Sequence, residues 1–227
     1  MCRLITVGSG SSGNTYLLQC GDEVLALDCG KRLMDVKKAL NFYIRGIVGA
    51  VVTHSHGDHA KYISEYETAG IPVWKPYEME SLRQDTQIGG FRIQSFGVVH
   101  SVPTVGYLIG HERLGKMLYV TDAEYVKYKF KNLNVILIEA NWSEKYVDKN
   151  KSNYHHVLRG HSSIEVTKEC VKANANQGLH DVILCHISDS NGNASEFREV
   201  INEATPPWTR VHIAVPGGVV DLGDITF

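Results

Sequence analysis

The chain has 227 residues, 43% hydrophobic and 21% charged, with 23 Lys plus Arg against 25 Asp plus Glu for a formal charge of −2. An ordinary globular composition of this length excludes a disordered or fibrous chain and is expected to form one domain over 1–227. The near-neutral balance excludes a global positive field for holding nucleic acid or membrane, so a polyanion has to be met by a local patch.

In chain order, the patterning predicts strands at 2–7, 15–20 and 23–28, with Gly21-Asp22 as a hairpin signal between the last two. Leu33, Val36, Leu40 and Tyr43 recur at helical spacing and predict a helix over 33–43. A buried strand is expected at 47–53, a helix at 58–69, a short strand at 72–75 and a helix near 77–84. Further strands are expected at 91–96, 104–109, 116–121 and 135–139. Residues 162–176 read as a helix capped by Ser162 or Ser163, with Ile164, Cys170 and Val171 on its apolar face. A strand at 182–186, a helix at 194–203 and strands at 210–214 and 218–221 complete the α/β pattern. Strands that come first in hairpins and then alternate with helices imply two sheets covered by helices.

The five cysteines (Cys2, Cys20, Cys29, Cys170, Cys185) include no CxxC pair and are expected to be reduced thiols. No signal peptide is read at the N-terminus, and the longest apolar stretch, 44–52, is interrupted by Arg45, Gly46 and Gly49. The expectation is a cytoplasmic protein without membrane contact.

The 11 histidines are the outstanding count. Thr53-His54-Ser55-His56-Gly57-Asp58-His59 follows an apolar strand and precedes a helical segment. Residues two apart on an extended turn face the same way, so His54 and His56 can grip one ion, while Asp58 and His59 face a second. Imidazole and carboxylate together suit Zn²⁺, Mn²⁺ or Fe. The further donors come directly after apolar strands, where loops above a rigid sheet carry function: His100, Asp122 and His186. His111, His155, His156, His180 and His212 lack such a setting and read as ordinary histidines.

The order HxHxDH, His, Asp, His resembles the metallo-β-lactamase superfamily. The nearer resemblance is to its YycJ/WalJ-like branch of small phosphodiesterases and nucleases, related to RNase Z. It is carried by Gly8-Ser9-Gly10-Ser11-Ser12-Gly13-Asn14, Glu139-Ala140-Asn141, Gly160-His161-Ser162-Ser163, and His186-Ile187-Ser188 with Asn191. The resemblance implies an αββα four-layer sandwich with two divalent ions, Zn²⁺ or Mn²⁺, at one edge. It implies that His54, His56 and His100 hold one ion, that Asp58, His59 and His186 hold the other, and that Asp122 bridges them. His161 is then the group that meets the scissile phosphate and protonates the leaving oxygen, although an alternative makes His161 the last ligand in place of His186. Asp58 would accept or orient a proton of a metal-bridging water, which becomes hydroxide near neutral pH. Glu139 either orients His161 or is a surface acid at a strand end. Ser11, Ser12, Asn14, Asn141 and Ser162 are the implied substrate contacts. The segment from His161 to His186 is too short for a tRNA exosite or a β-CASP insertion.

Seven Lys or Arg against three acids over 125–160 give a local balance of +4, interleaved with Tyr125, Tyr128, Phe130, Tyr146 and Tyr154. Such a stretch suits a single-strand or duplex-end platform, the alternative being a solvated edge strand that uses Lys to block aggregation. The 127–131 lysines favour the solvated edge, and the 145–159 stretch, which leads into His161, favours substrate. The expected activity is a metal-dependent phosphodiesterase, a DNA exonuclease by the resemblance. The alternatives are a small-molecule phosphodiesterase acting on cyclic nucleotides and a non-catalytic metal-stabilised binding module.

Overall fold

The computed structural model describes residues 1–150 and 154–224. One sheet has the order β13-β1-β2-β3-β4-β5, built from β1 (Cys2–Gly8), β2 (Thr15–Cys20), β3 (Glu23–Leu27), β4 (Ile47–Val51), β5 (Val73–Trp74) and β13 (Val219–Gly223). The other has the order β12-β11-β10-β9-β8-β7-β6, built from β6 (Asp85–Ile88), β7 (Phe91–Val98), β8 (Thr104–His111), β9 (Gly115–Val120), β10 (Val135–Glu139), β11 (Asp181–Cys185) and β12 (Arg210–Ile213). In each sheet one half is antiparallel, while β3-β4-β5 and β9-β10-β11-β12 run parallel. The helices are α1 (Leu33–Ala39), α2 (Gly57–Ala60), α3 (Ile63–Thr68), α4 (Tyr154–Gly160), α5 (Ile164–Asn174) and α6 (Ala194–Asn202).

Alternate residues of a strand face opposite sides, and here both sides are covered, so the central strands are apolar throughout. Leu25 and Leu27 join Tyr107, Tyr119, Val135 and Leu137 in the core between the sheets. Ala26 turns the other way, toward Leu33 and Val36 of α1 and Tyr66 of α3. Ile136 and Ile138 turn outward from the second sheet, toward Ile164 and Val171 of α5 and Phe197 and Ile201 of α6. The result is an αββα sandwich. No helix among the described residues is long and apolar enough to cross a membrane.

The departures from the sequence reading have local causes. Helix α1 stops at Ala39 because Asn41 and Phe42 adopt positive φ and their N–H groups turn back to the carbonyls of Lys38 and Lys37. Tyr43, read as apolar face, is 60% exposed. The helix expected over 58–69 breaks at Tyr62, whose N–H donates to the carbonyl of Cys29 instead of continuing the helix. The segment near 77–84 is not a helix but a 3₁₀ turn at Pro76–Glu78, followed by β6, a polar edge strand that patterning missed. Helix α4 was also missed. Ser163, not Ser162, caps α5 by accepting from the N–H of Val166. Cys2 and Cys20 stand opposite each other on β1 and β2 and pair as a disulfide, contrary to the expectation of five free thiols, whereas Cys29, Cys170 and Cys185 are free.

Two of the ordinary histidines have a structural task. Asp181, fully buried at the start of β11, receives Arg210 at 2.7 Å and has His180 and His212 each at 2.8 Å. Burial opposes the charged carboxylate, but the bonds from His180, His212 and Arg210 outweigh it and hold Asp181 well below the usual carboxylate range. A depressed carboxylate stabilises the fold above its unfolded pKa of about 3.9, and this contribution is lost as pH falls below that value. Asp181→Ala is expected to cost about 2–3 kcal/mol at pH 7, read from urea midpoints, and to flatten the loss of stability below about pH 4. An unchanged midpoint, or an unchanged acid limb, would show the cluster to be energetically idle.

Candidate metal centre

The site lies along the rim where the parallel strands end, the usual place for function on an α/β sheet. Asp28 follows β3, the His54–His59 loop follows β4, His100 follows β7, Asp122 follows β9, Glu139 ends β10 and His186 follows β11. Asp28, Asp122 and His186 all have positive φ, at 64°, 49° and 50°. Asp and His are among the few non-glycine residue types that enter this region with some frequency, so the chain can turn sharply off each strand and still carry a donor there.

Asp122 is 2% exposed, and its carboxylate faces five imidazoles. His54 Nε2 lies 3.5 Å from Oδ2, His59 Nε2 3.4 Å and His100 Nε2 3.9 Å. His186 Nδ1 is 2.9 Å and His161 Nδ1 3.7 Å from Oδ1. Around this carboxylate three groups of donors converge, His54, His56, His100 and Asp122 in one, Asp58, His59, Asp122 and His186 in a second, and Asp122, Glu139, His161 and His186 in a third, each with ligand atoms within 4.8 Å of one another.

The donors fit a cation. His56 Nδ1 is 3.1 Å from His54 Nε2 and 3.2 Å from His100 Nε2, so three ring nitrogens point at one small space. Burial pushes His100 down to about 4, and burial with His54 nearby lowers His56, leaving both rings neutral and their lone pairs available near pH 7. In the second group, His186 Nε2 is buried with no hydrogen-bond partner, 3.7 Å from Asp58 Oδ2. Burial opposes charge on Asp122, yet the His186 and His59 rings hold it well below the carboxylate range. Two nests of nitrogen and carboxylate oxygen that share one carboxylate are what a pair of divalent cations takes.

Supporting groups orient the ligands. Fully buried Asp28, missed by the sequence reading, is 2.8 Å from His59 Nδ1, which turns Nε2 toward Asp122. It also accepts from the N–H and hydroxyl of Thr53 and from the hydroxyl of Tyr119. Thr53 Oγ1 in turn lies 3.0 Å from His54 Nδ1. The signal was available: Asp28 is a carboxylate at the end of an apolar strand, as Asp122 is, but it was counted as the last residue of the strand.

Glu139 is fully buried and not a surface acid. Its Oε1 lies 2.8 Å from His161 Nδ1 and 2.7 Å from His186 Nδ1, so one carboxylate orients both rings. Burial opposes protonation of His161, but Glu139 outweighs it and holds the ring above its ordinary value. His161, with His56, Asp58, His100, Asp122, His186 and Ser11, lines a cavity of about 360 Å³ over the site.

Two of the five expected substrate contacts face elsewhere. Asn14 is fully buried, its Nδ2 lying 2.9 Å from His59 Nε2 and 3.3 Å from Asp58 Oδ2, and it borders neither cavity of the site. Ser162 donates to the carbonyl of Ala123, and its N–H donates to Glu139 at 3.2 Å. Ser11, Ser12 and Asn141 border open space beside the site. Lys145 forms a surface ion pair with Glu196 at 2.6 Å, and it is exposed, as are Lys127, Lys129 and Lys131. Lys151 and the side chains of His155 and His156 lie outside the described residues.

No family model matches the chain. An exodeoxyribonuclease YycJ of Bacillus anthracis is 25% identical to it, over 60% of this chain and 61% of that protein, so the match spans less than two thirds of the relative. The metallo-β-lactamase fold protein YhfI of Bacillus subtilis superposes with a TM-score of 0.74 at 17% identity, over 96% of this chain and 98% of that one. Unliganded yeast PDE1 superposes with a TM-score of 0.70 at 12% identity, over 96% and 98%. The chain has the metallo-β-lactamase fold, as the order of its motifs implied.

Removing a partner that orients a metal-ligating histidine typically lowers metal affinity 10–100-fold. Asp28→Ala is therefore expected to weaken binding at one of two ion sites by about that factor, measured by competition against a chelator. Unchanged affinity at both sites would remove Asp28 from the centre.

Proposed function

We propose that the chain is a dinuclear metal-dependent hydrolase of phosphodiester bonds whose substrate is nucleic acid, most specifically a DNA exonuclease. The observation that carries this is the pair of donor groups sharing Asp122, with the His161–Glu139 pair beside them in the same cavity. The similarity to an exodeoxyribonuclease supports the choice of DNA.

His54, His56 and His100 would hold one ion, Asp58, His59 and His186 the other, and Asp122 both. When bound, two such cations supply Lewis acidity toward phosphoryl oxygens and lower the pKa of a water between them. Asp58, 22% exposed, is the ligand carboxylate with access to the cavity and can orient the proton of an attacking water. His161 acts as general acid toward the departing ester oxygen. Glu139 fixes its ring through Nδ1 and favours the protonated form, so the acid is charged over a wider pH range than an unperturbed imidazole. The second ring on Glu139, His186, has its Nε2 directed at Asp58 and buried, which suits a ligand rather than an acid.

A smaller substrate such as a cyclic nucleotide has one point in its favour, the absence of any overall positive charge. The two readings separate on salt: cleavage of a polymer falls steeply between 50 and 200 mM salt, with a factor that depends on the number of phosphates contacted, and cleavage of a small diester does not.

With Mn²⁺ or Zn²⁺ supplied, the protein is expected to degrade labelled DNA, and Asp122→Ala is expected to abolish this together with metal binding. Intact DNA under wild-type protein with both ions bound would overturn the reading. His161→Ala is expected to lower kcat on DNA by ~10²–10⁴-fold with metal content retained. The same variant should lose far less on bis-(p-nitrophenyl) phosphate, whose leaving group needs no proton. In the wild type the rate should fall as pH rises past the elevated pKa of His161, and the variant should lack that limb. Equal losses on both substrates would assign His161 another role.

A further inference from the structure

Next to the metal cavity lies a second one of about 300 Å³, between the 8–14 loop and the 187–191 loop. The two share Ser11 and His186. Five serines line it, Ser9, Ser11, Ser12, Ser188 and Ser190, and three of them are oriented. Ser9 Oγ accepts from the hydroxyl of Tyr16 and from the backbone N–H of His186, each at 2.9 Å. Ser12 Oγ accepts from Lys31 Nζ at 3.2 Å, and Ser188 Oγ accepts from the N–H of Asn191 at 3.2 Å. A hydroxyl carries one proton to give, and in each of these three an N–H already occupies the oxygen. Ser9, Ser12 and Ser188 are thus set as donors toward an acceptor.

A positive charge is built in beside them. Lys31 Nζ also donates to the carbonyl of Ser12 at 3.1 Å, so the ammonium is fixed against the loop. This close fit needs glycine: a Cβ on Gly8 would meet Lys31 Cε at 2.2 Å, and one on Gly13 would meet the Gly30 carbonyl at 2.3 Å. Asn141 also lines the cavity, with one of its two Nδ2 protons given to the carbonyl of His186 at 2.8 Å. One acid, exposed Asp189, stands at the rim and weakens the field.

We propose that this cavity takes the terminal phosphomonoester of a nucleic-acid strand and so places the adjoining phosphodiester in the metal cavity. The proposal rests on the nuclease reading and names how that nuclease selects chain ends. Three hydroxyl donors match the three acceptor oxygens of a phosphomonoester, whereas an internal diester offers two non-bridging oxygens. The terminal group carries close to two negative charges at pH 7, against one for a diester, so Lys31 favours the end over the middle of a strand.

The test uses the full chain with Mn²⁺ and one single-stranded DNA sequence in three forms: 5′-phosphorylated, 3′-phosphorylated, and hydroxyl at both ends. One phosphorylated form is expected to be degraded with a kcat/KM about tenfold or more above the hydroxyl form, chiefly through KM. In Ser188→Ala and in Lys31→Met this ratio should fall toward one, and in Asp189→Asn it should rise. The ratio is taken within each variant, so general damage to the site cancels. DNA degraded equally in all three forms by the wild type overturns this inference and leaves the nuclease reading intact. A preference that survives both Ser188→Ala and Lys31→Met overturns the assignment to this cavity. No degradation of any form with both ions bound overturns the nuclease reading, and the inference with it.

Discussion

One buried carboxylate surrounded by five imidazoles is the constraint on which the rim of this sandwich is organised. Asp122 has almost no contact with water, and an ionised carboxylate in such a place is tolerated only when positive partners and hydrogen bonds surround it. The partners come from four separate stretches of chain, one holding His54 and His59 and the others His100, His161 and His186. No local segment could assemble them. They meet because β4, β7, β9 and β11 end along one rim, held in register by the apolar layers between and outside the sheets.

Rigidity at that rim comes from a second tier of buried acids. Asp28 fixes His59 from behind, and Glu139 fixes both His161 and His186. Each acid leaves or ends a strand and is therefore anchored by the sheet rather than by a mobile loop. Sharp turns at Asp28, Asp122 and His186 let strands buried on both faces deliver a polar side chain into the site within one or two residues. The arrangement concentrates polar groups in one edge of an otherwise apolar sandwich, where each can be paired with another.

Much of this was legible in the sequence because the signals were local and periodic. Strands β2 and β10 were read to the residue, and the plan of two sheets covered by helices followed from patterning, although β6 and α4 did not. The candidate donors His54, His56, Asp58, His59, His100, Asp122 and His186 stand out in the sequence because each lies shortly after an apolar run, and the fold gathers them around Asp122. Asp28 was not, because a carboxylate that closes a strand looks like the strand's own polar end. Asn14 and Ser162 were misread for a related reason: their composition suits phosphate contact, and only three-dimensional placement shows Asn14 bonded to Asp58 and His59 and Ser162 bonded to Ala123 and Glu139. The edge strand β6 lacked a signal, since a strand with half its residues exposed need not be apolar.

On the nuclease reading, the charges at the site bear on how a protein of nearly neutral net charge would take a polyanion. Asp28, Asp58, Asp122 and Glu139 contribute four formal negative charges in and behind the cavity, offset in part by the histidines paired with them. Two divalent cations would cancel these four, and a protonated His161 would then leave the centre positive by about one unit charge. On that reading the attraction for phosphate would come from metal occupancy and the His161–Glu139 pair rather than from the surface. Coupling of this kind makes productive substrate binding conditional on a complete centre, with no global positive field needed to steer the strand. It also gives the basic side chain at the neighbouring serine loop, Lys31, more weight than the exposed lysines at 127–131, because only Lys31 is fixed by hydrogen bonds to a residue that borders the adjoining cavity.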